Sequence, residues 1–497
     1  MIKNFKWLLL ASLSFVACTN NDDEDVVAEI PITPGTAVLT KYVALGDSFA
    51  AGYSDSALFK AGQENSYVNI LAQQLIPAGG GAFTTPMMAD NTGGLLLGGN
   101  VIAGSRFSIL GFKPDGKPIV GPISGTPTTE VTNKLTGPFS NLGIPGAKSY
   151  HLIAPGYGNL AGVFATPSTA NPYFARFATS ATTTVLADAL AQSPTFFSLF
   201  IGGNDVLLYA TNGGAGVNQT GNLDPSTYGN NDITDPNVFA NVYNALATNL
   251  TANGAKGIVA NLPYVTTLPY FTTVPYNPVA LDATKAGQLN AGYAQYNGGL
   301  QVMVTNKLLS AEEAAKRTIK FVAGNNPVVI IDSYLTNLSA YGVPSYRQVT
   351  KEDLVVLLAG NFIGTYVGGD ATKINGVSVP LSDQWVLSKD EVMEVKVATD
   401  AYNKTISAVA EAKGLAFVDA KAAMTQLSTT GVRFGNNHMT AGYLTGGAFS
   451  LDGVHPSPRG YAFIANLFVD AINTKFGATL RKVDLANYQI QYPKTIQ

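Results

Sequence analysis

Cysteine is nearly missing from this chain. Cys18 is the only one in 497 residues, which excludes an internal disulfide and any multi-cysteine metal centre. Histidine is almost as scarce, at His151, His438 and His455, too few for a dedicated zinc enzyme. Charge is sparse as well: charged side chains make up 13 % of the chain, against roughly 25 % in an average soluble domain. With 30 Lys+Arg against 33 Asp+Glu the formal net charge is −3, so the basic excess that marks a nucleic-acid binder is absent. What is present is apolar mass. Apolar residues reach 46 % and aromatics 10 %, enough for a large core and too much for a disordered chain. Length alone allows about three domains, yet no internal repeat is visible and nothing beyond residue 40 reads as a linker.

The first residues bear on compartment. Lys3 and Lys6 precede a mostly apolar stretch over residues 7–16, too short to span a bilayer and right for the core of a secretory signal. The chain's one cysteine follows directly. Phe15-Val16-Ala17-Cys18 resembles the lipobox of bacterial lipoproteins, although Leu is commoner than Phe at its first position. The resemblance implies a signal peptide over residues 1–17 and a membrane anchor on lipidated Cys18; the plainer alternative is an ordinary secretory signal with a chance cysteine. Residues 18–38, with the acidic run Asp22-Asp23-Glu24-Asp25, read as an extended tether. That run resembles a surface-export signal of some Gram-negative lipoproteins, or serves only as a spacer. The expectation is an outer-membrane lipoprotein, held by its lipid and not by charge.

Short apolar runs ending in turn residues recur along the remainder: Tyr42-Val43-Ala44-Leu45, residues 196–201, residues 257–262, Val328-Val329-Ile330-Ile331 and Leu415-Ala416-Phe417-Val418. Such runs suit strands buried on both faces, as in a parallel sheet. Between them lie helical signals. Ser388-x-x-Glu391 is a capping box opening a helix to about Ala412. Ser457-Pro458 reads as N-cap and first turn, followed by the apolar stripe Tyr461, Ile464, Ala465, Phe468, Ile472. Strands alternating with helices predict an α/β three-layer domain, over residues 39–476 with a C-terminal extension 477–497. The surplus length falls in Gly/Thr/Asn/Pro-rich stretches near 78–138, 155–182, 211–236 and 336–386, expected as insertions.

Four blocks carry chemistry. Gly46-Asp47-Ser48 follows the first strand, where ligands of open α/β sheets bind. Asn141-Leu142-Gly143-Ile144-Pro145-Gly146 reads as a loop whose last glycine lets backbone N–H groups approach a ligand. Gly202-Gly203-Asn204-Asp205 closes the strongest apolar strand and offers an amide donor. Asp452-Gly453-Val454-His455 places an acid three residues before a histidine, so Asp452 can hold Nδ1–H and leave Nε2 free as a base.

In that order the blocks resemble the SGNH hydrolases, the GDSL lipase/esterase family, with Ser48, Gly146, Asn204 and His455 at the four named positions. The resemblance spans residues 42 to 460. It implies a flavodoxin-like α/β/α fold with a parallel sheet, a nucleophile Ser48 with Asp452 and His455, and an oxyanion hole from Ser48, Gly146 and Asn204. No metal or cofactor is implied. The expected partner is an ester substrate, a lipid or an acylated glycan, and the membrane through Cys18; nucleic acid is not expected. The readings are a lipid-anchored serine esterase or lipase, a polysaccharide O-acyl esterase of the same fold, or an inactive surface binding lipoprotein. An α/β-hydrolase elbow at Gly46-x-Ser48-x-Ala50 lacks its second glycine. Asp47, Asp205, His151, His438 and Trp385 are expected to be structural.

Overall fold

The computed structural model describes residues 31–496, apart from position 115. The leader, Cys18 and the acidic run lie outside the described residues. From Ile32 on, the chain belongs to one unit. The Thr36 N–H donates to the Phe476 carbonyl at 2.8 Å, and Ala37 and Leu39 are buried in the main core. Folded chain therefore begins earlier than the expected tether to residue 38, because these two apolar side chains are buried in the main core.

Five strands form the central sheet: β1 (Tyr42–Gly46), β2 (Asn141–Gly143), β3 (Phe196–Phe200), β4 (Lys256–Ala260) and β5 (Ala416–Val418). They lie in the order β2-β1-β3-β4-β5, every pair parallel, which is the flavodoxin-like order. All residues of β1 and β3 are buried, since helices cover both faces and leave no polar side to the strand.

The helices that matter are α1 (Ser48–Ala51), α2 (Tyr67–Leu75), α3 (Asn204–Thr211), α4 (Pro236–Thr251), α5 (Ala283–Thr305), α6 (Lys389–Ala412), α7 (Ala420–Thr429) and α8 (Pro458–Phe476). α2 packs on α8 and α4 on α6, giving the helical layers. The caps form as expected. Glu391 accepts the Ser388 N–H at 2.7 Å, Ser388 Oγ accepts the Glu391 N–H, and Ser457 Oγ accepts the Gly460 N–H at 3.0 Å. Tyr461, Ala465, Phe468 and Ile472 are buried on α8, whereas Ile464 is only half-buried.

Two expectations need correction. Residues 141–143 are not loop but the edge strand β2, paired to β1. Val329–Ile331 is a strand, but it pairs antiparallel with Tyr346–Gln348 in a separate two-stranded sheet. It lies in the long excursion between β4 and α6, which also holds α5 and a small core of its own around Leu300, Met303 and Leu338. That excursion begins well before the expected insertion at 336. The stretch 78–138 carries two antiparallel hairpins. The C-terminal segment folds back over it: the Arg106 guanidinium donates to the Pro493 and Lys494 carbonyls at 2.8 and 2.9 Å.

Candidate active site

Ser48 sits where β1 turns into α1. A Cβ on Gly46 would lie 2.7 Å from the Phe200 carbonyl oxygen and 2.9 Å from Ala50 Cβ, so only glycine lets the chain turn this close to β3. Asp47 caps α1 by accepting the Phe49 N–H at 3.0 Å. Burial pushes its carboxyl up to about 6, against the pull of that N–H and of His455.

His455 and Asp452 come from the loop before α8. Ser48 Oγ lies 2.9 Å from His455 Nε2, and His455 Nδ1 lies 2.9 Å from Asp452 Oδ2. The other oxygen, Oδ1, accepts the N–H groups of Val454 and His455 at 2.9 and 2.8 Å. Burial alone would raise the Asp452 carboxyl; the attraction of His455 and these donors outweigh it and hold the pKa below the ordinary range. Asp452 is thus an anionic acceptor that fixes the proton on Nδ1, and Nε2 is free to take a proton from the serine hydroxyl.

Gly146 follows β2 with φ +80°, and Asn204 opens α3 after β3. The Asn204 amide donates one hydrogen to the Ala147 carbonyl at 3.0 Å, and an amide nitrogen carries two. Next to it, Asp205 accepts the Ser149 N–H and hydroxyl at 2.8 and 2.7 Å. Burial raises the Asp205 carboxyl, with the Ser149 bonds opposing. These contacts tie the loop after β2 to the start of α3, so the Gly146 and Asn204 donors are held as one unit. Ser48, Gly146, Asn204, Asp452 and His455 line a single cleft of about 370 Å³, with Tyr53, Tyr173 and Tyr270 around them. A base, a hydroxyl and convergent donors in one cleft are the parts that nucleophilic acyl transfer requires.

Sequence reasoning missed one contributor. Ser56 donates its backbone N–H to Asp452 Oδ2 at 2.9 Å, the oxygen that also meets His455. Asp55 and Ser56 reach this position with φ of 49° and 63°, left-handed values that L-residues seldom adopt. The turn is clamped to the histidine loop. Ser54 Oγ donates to the Pro456 carbonyl at 3.0 Å, Asp55 N–H donates to Ser450 Oγ at 3.0 Å, and Asp55 Oδ1 accepts the Leu451 N–H at 2.9 Å. Burial pushes the Asp55 carboxyl up to about 7, with the Leu451 N–H opposing. Tyr53, from the same turn, packs its ring 4.6 Å from the His455 ring. The cluster Tyr53-Ser54-Asp55-Ser56 after α1 was the available signal, as a run of turn formers.

The remaining candidates stand away from the cleft lining. His151 stacks on Tyr157 at 4.3 Å and accepts the Lys148 N–H at 3.0 Å; burial drives its pKa down to about 3. His438 is exposed, with Nε2 2.8 Å from the Thr430 carbonyl oxygen. Trp385 stacks on Phe362 at 5.1 Å. Among the described residues no group of His, Cys, Asp and Glu could hold a metal ion, and no helix is long and apolar enough to cross a membrane.

No family model matches the chain, and no curated protein matches it. Among solved structures it is similar to Axe2, an acetylxylan esterase from Geobacillus stearothermophilus, at 11 % identity and a TM-score of 0.32, over 90 % of this chain and 100 % of that one. It is also similar to LAE5, an alpha/beta hydrolase enzyme from the metagenome of Lake Arreo, Spain, at 12 % identity and a TM-score of 0.32, over 88 % of this chain and 96 % of that one.

Proposed function

We propose that this chain is a serine esterase of the SGNH type that hydrolyses carboxylic esters through an acyl-enzyme on Ser48. The observation that carries the reading is the unbroken chain from Ser48 Oγ through His455 to Asp452, 2.9 Å at each link, opening into the cleft that also holds Gly146 and Asn204. Ser48 Oγ attacks the ester carbonyl while His455 Nε2 takes its proton. The resulting oxyanion meets the N–H groups of Ser48 and Gly146 and the Asn204 amide; one such donor is typically worth about 10²–10³ in turnover. Collapse breaks the bond to the alcohol, which leaves with the proton from His455. Water then repeats the sequence on the acyl-enzyme and frees the acid.

The test is a serine-directed phosphonate with the full chain. It should label Ser48, leave Ser48→Ala unlabelled, and Ser48→Ala should lose several orders of magnitude in ester hydrolysis, because nucleophile and base act as one unit. A Ser48→Ala variant that keeps most of the activity removes the reading. A second reading, a glycan O-acyl esterase, draws support from Tyr53, Tyr173 and Tyr270 around the cleft, whose ring faces suit sugar rings. Faster release of acetate from an O-acetylated oligosaccharide than from an aryl acetate would favour it.

The same proposal places the enzyme on the outer membrane through acyl chains on Cys18, supported by the lipobox-like Phe15-Val16-Ala17-Cys18. Cys18→Ala should move the protein from the membrane fraction to the soluble one. Unchanged membrane retention would rule the anchor out.

A further inference from the structure

The cleft is not the only hollow at the carboxyl end of the sheet. On the β5 side of Ser48 a second cavity lies among the ends of β3 and β5, α7 and α8, with Phe49, Phe200, Leu268, Met424, Pro456 and Ile464 in its walls. No lining residue carries a charge, an amide or a hydroxyl on its side chain. Two of the walls touch the site through the chain itself: Phe49 follows Ser48, and Pro456 follows His455. The half-buried Phe49 ring stands between the two spaces, its centroid 5.5 Å from the His455 ring and 5.9 Å from that of Phe200. A group esterified to Ser48 Oγ is therefore one side chain away from an apolar chamber.

We infer that this chamber takes the acyl chain of the ester, with the Phe49 ring swinging aside to admit it, and that the chain it fits is of medium length; the inference rests on the esterase reading above. The chemistry of the walls selects the occupant. A sugar or a charged group would lose its hydrogen bonds to water there without replacement, whereas each buried methylene gains roughly fourfold in binding. Size selects the length. The chamber leaves about 70 Å³ free, roughly half of the ~150 Å³ that takes up a six-carbon ring, so it holds about three carbons beyond those that cross the place vacated by Phe49, which corresponds to an acyl chain of about six carbons. The alcohol side of the ester stays in the open, tyrosine-lined cleft.

The experiment measures kcat/KM of the full chain for p-nitrophenyl acetate, hexanoate and hexadecanoate, together with calorimetric binding of octanoate to Ser48→Ala. Hexanoate should exceed acetate on the order of a hundredfold, as four extra methylenes imply, and hexadecanoate should fall off. Ala423→Phe, at a half-buried position on α7 in the chamber wall, should cut the hexanoate preference at least tenfold, leave acetate unchanged, and abolish octanoate binding in the Ser48→Ala background. Ile464→Phe fills the same space from α8 and should act alike, so failure of one variant to fold leaves the test intact. Phe49→Ala should shift the optimum toward longer chains. An unaltered hexanoate-to-acetate ratio and unaltered octanoate binding in the filled variants overturn the inference. A wild type that hydrolyses no ester, yet binds octanoate in a manner that Ala423→Phe destroys, sinks the esterase reading and keeps the chamber as an apolar-chain site.

Discussion

Two carboxylate clusters in this molecule each bond a basic side chain and do different things. In the cleft, Asp452 holds His455, which faces Ser48. In the excursion between β4 and α6, Arg347 bonds Asp332 at 2.5 Å and clasps Asp353 through two nitrogens at 2.7 and 2.8 Å. Asp353 also accepts the Lys389 N–H at 2.9 Å, which pins the excursion to the start of α6. The arginine cluster is sealed, its side chains 0–1 % exposed, whereas Asp452 and His455 are 11 and 14 % exposed. Burial would strip the charge from Arg347 and Asp353, but their mutual bonds keep both ionised. A guanidinium cannot give up its proton, and most of its donors here are spent on carboxylates and on the Gln348 carbonyl. An imidazole can exchange a proton, and His455 turns its second nitrogen to a hydroxyl in an open cleft. On the proposed reading, the difference between clasp and catalytic site lies in that one exchangeable position.

The sharpest way to break this comparison is to cripple each cluster in turn. Asp452→Asn keeps the shape but upsets the imidazole tautomer, and should lower kcat on the order of 10²–10⁴ with little change in Tm. Arg347→Met leaves two buried carboxylates unpaired and should cost about 3–5 kcal/mol of stability, with kcat per folded molecule near wild type. Denaturant melts and ester kinetics on both variants check the crossing. Loss of activity in folded Arg347→Met, or wild-type turnover in Asp452→Asn, would erase the distinction.

Carboxylates held ionised by a basic partner and carboxylates that burial raises should also slope oppositely with pH. Asp353 titrates below its ordinary range in the fold, so its contribution is present above about pH 4 and is lost on acidification through its folded pKa. Asp55 and Asp47 are raised by burial, to about 7 and about 6. The folded state then binds protons that the unfolded chain has released, and stability declines as pH climbs from about 4 to 7. Tm of the wild type should therefore fall between pH 5 and 7.5, and Asp55→Asn should flatten part of that fall. An equal slope in both proteins would mean that Asp55 is ionised throughout.

The same contrast explains what could be read in advance. β1, β3, β4 and β5 were legible because burial on both faces leaves an apolar run, and the caps of α6 and α8 because they rest on local side chains. Ser48, Asn204, Asp452 and His455 were legible as short blocks next to such elements. β2 was not: Asn141-Leu142-Gly143 lacks a strand former's profile, and it is held by pairing to β1 and by the Asn141 amide on the Ala50 carbonyl at 3.0 Å. Val329–Ile331 looks like a strand of the central sheet because Val329 and Ile330 are buried in the main core, although the strand pairs outside that sheet. α5 hides for a different reason. Its buried residues are Ala286, Tyr293, Leu300 and Met303, about one per two turns, too thin a stripe to stand out among glycines. The Ser56 N–H itself carries no signature, since any residue but proline supplies it; only the run of turn formers Tyr53-Ser54-Asp55-Ser56 marks the turn that presents it.

That backbone donor yields the smallest expected effect and isolates what the turn contributes. Ser56 holds φ +63°, a left-handed conformation that costs an L-residue roughly 1–2 kcal/mol, while glycine adopts it freely at an entropic cost of about 0.5–1 kcal/mol. Ser56→Gly should thus be neutral to slightly stabilising, a rise of about 1 °C at most in a chain of this size. The N–H to Asp452 survives, so kcat should stay within about twofold of wild type. Ser56→Pro does the reverse: it removes the N–H and demands φ near −65°, so stability and kcat should fall together. A tenfold loss of kcat in Ser56→Gly, with Tm unchanged, would show that the cleft depends on the serine hydroxyl and not on the backbone donor that the turn delivers to Asp452.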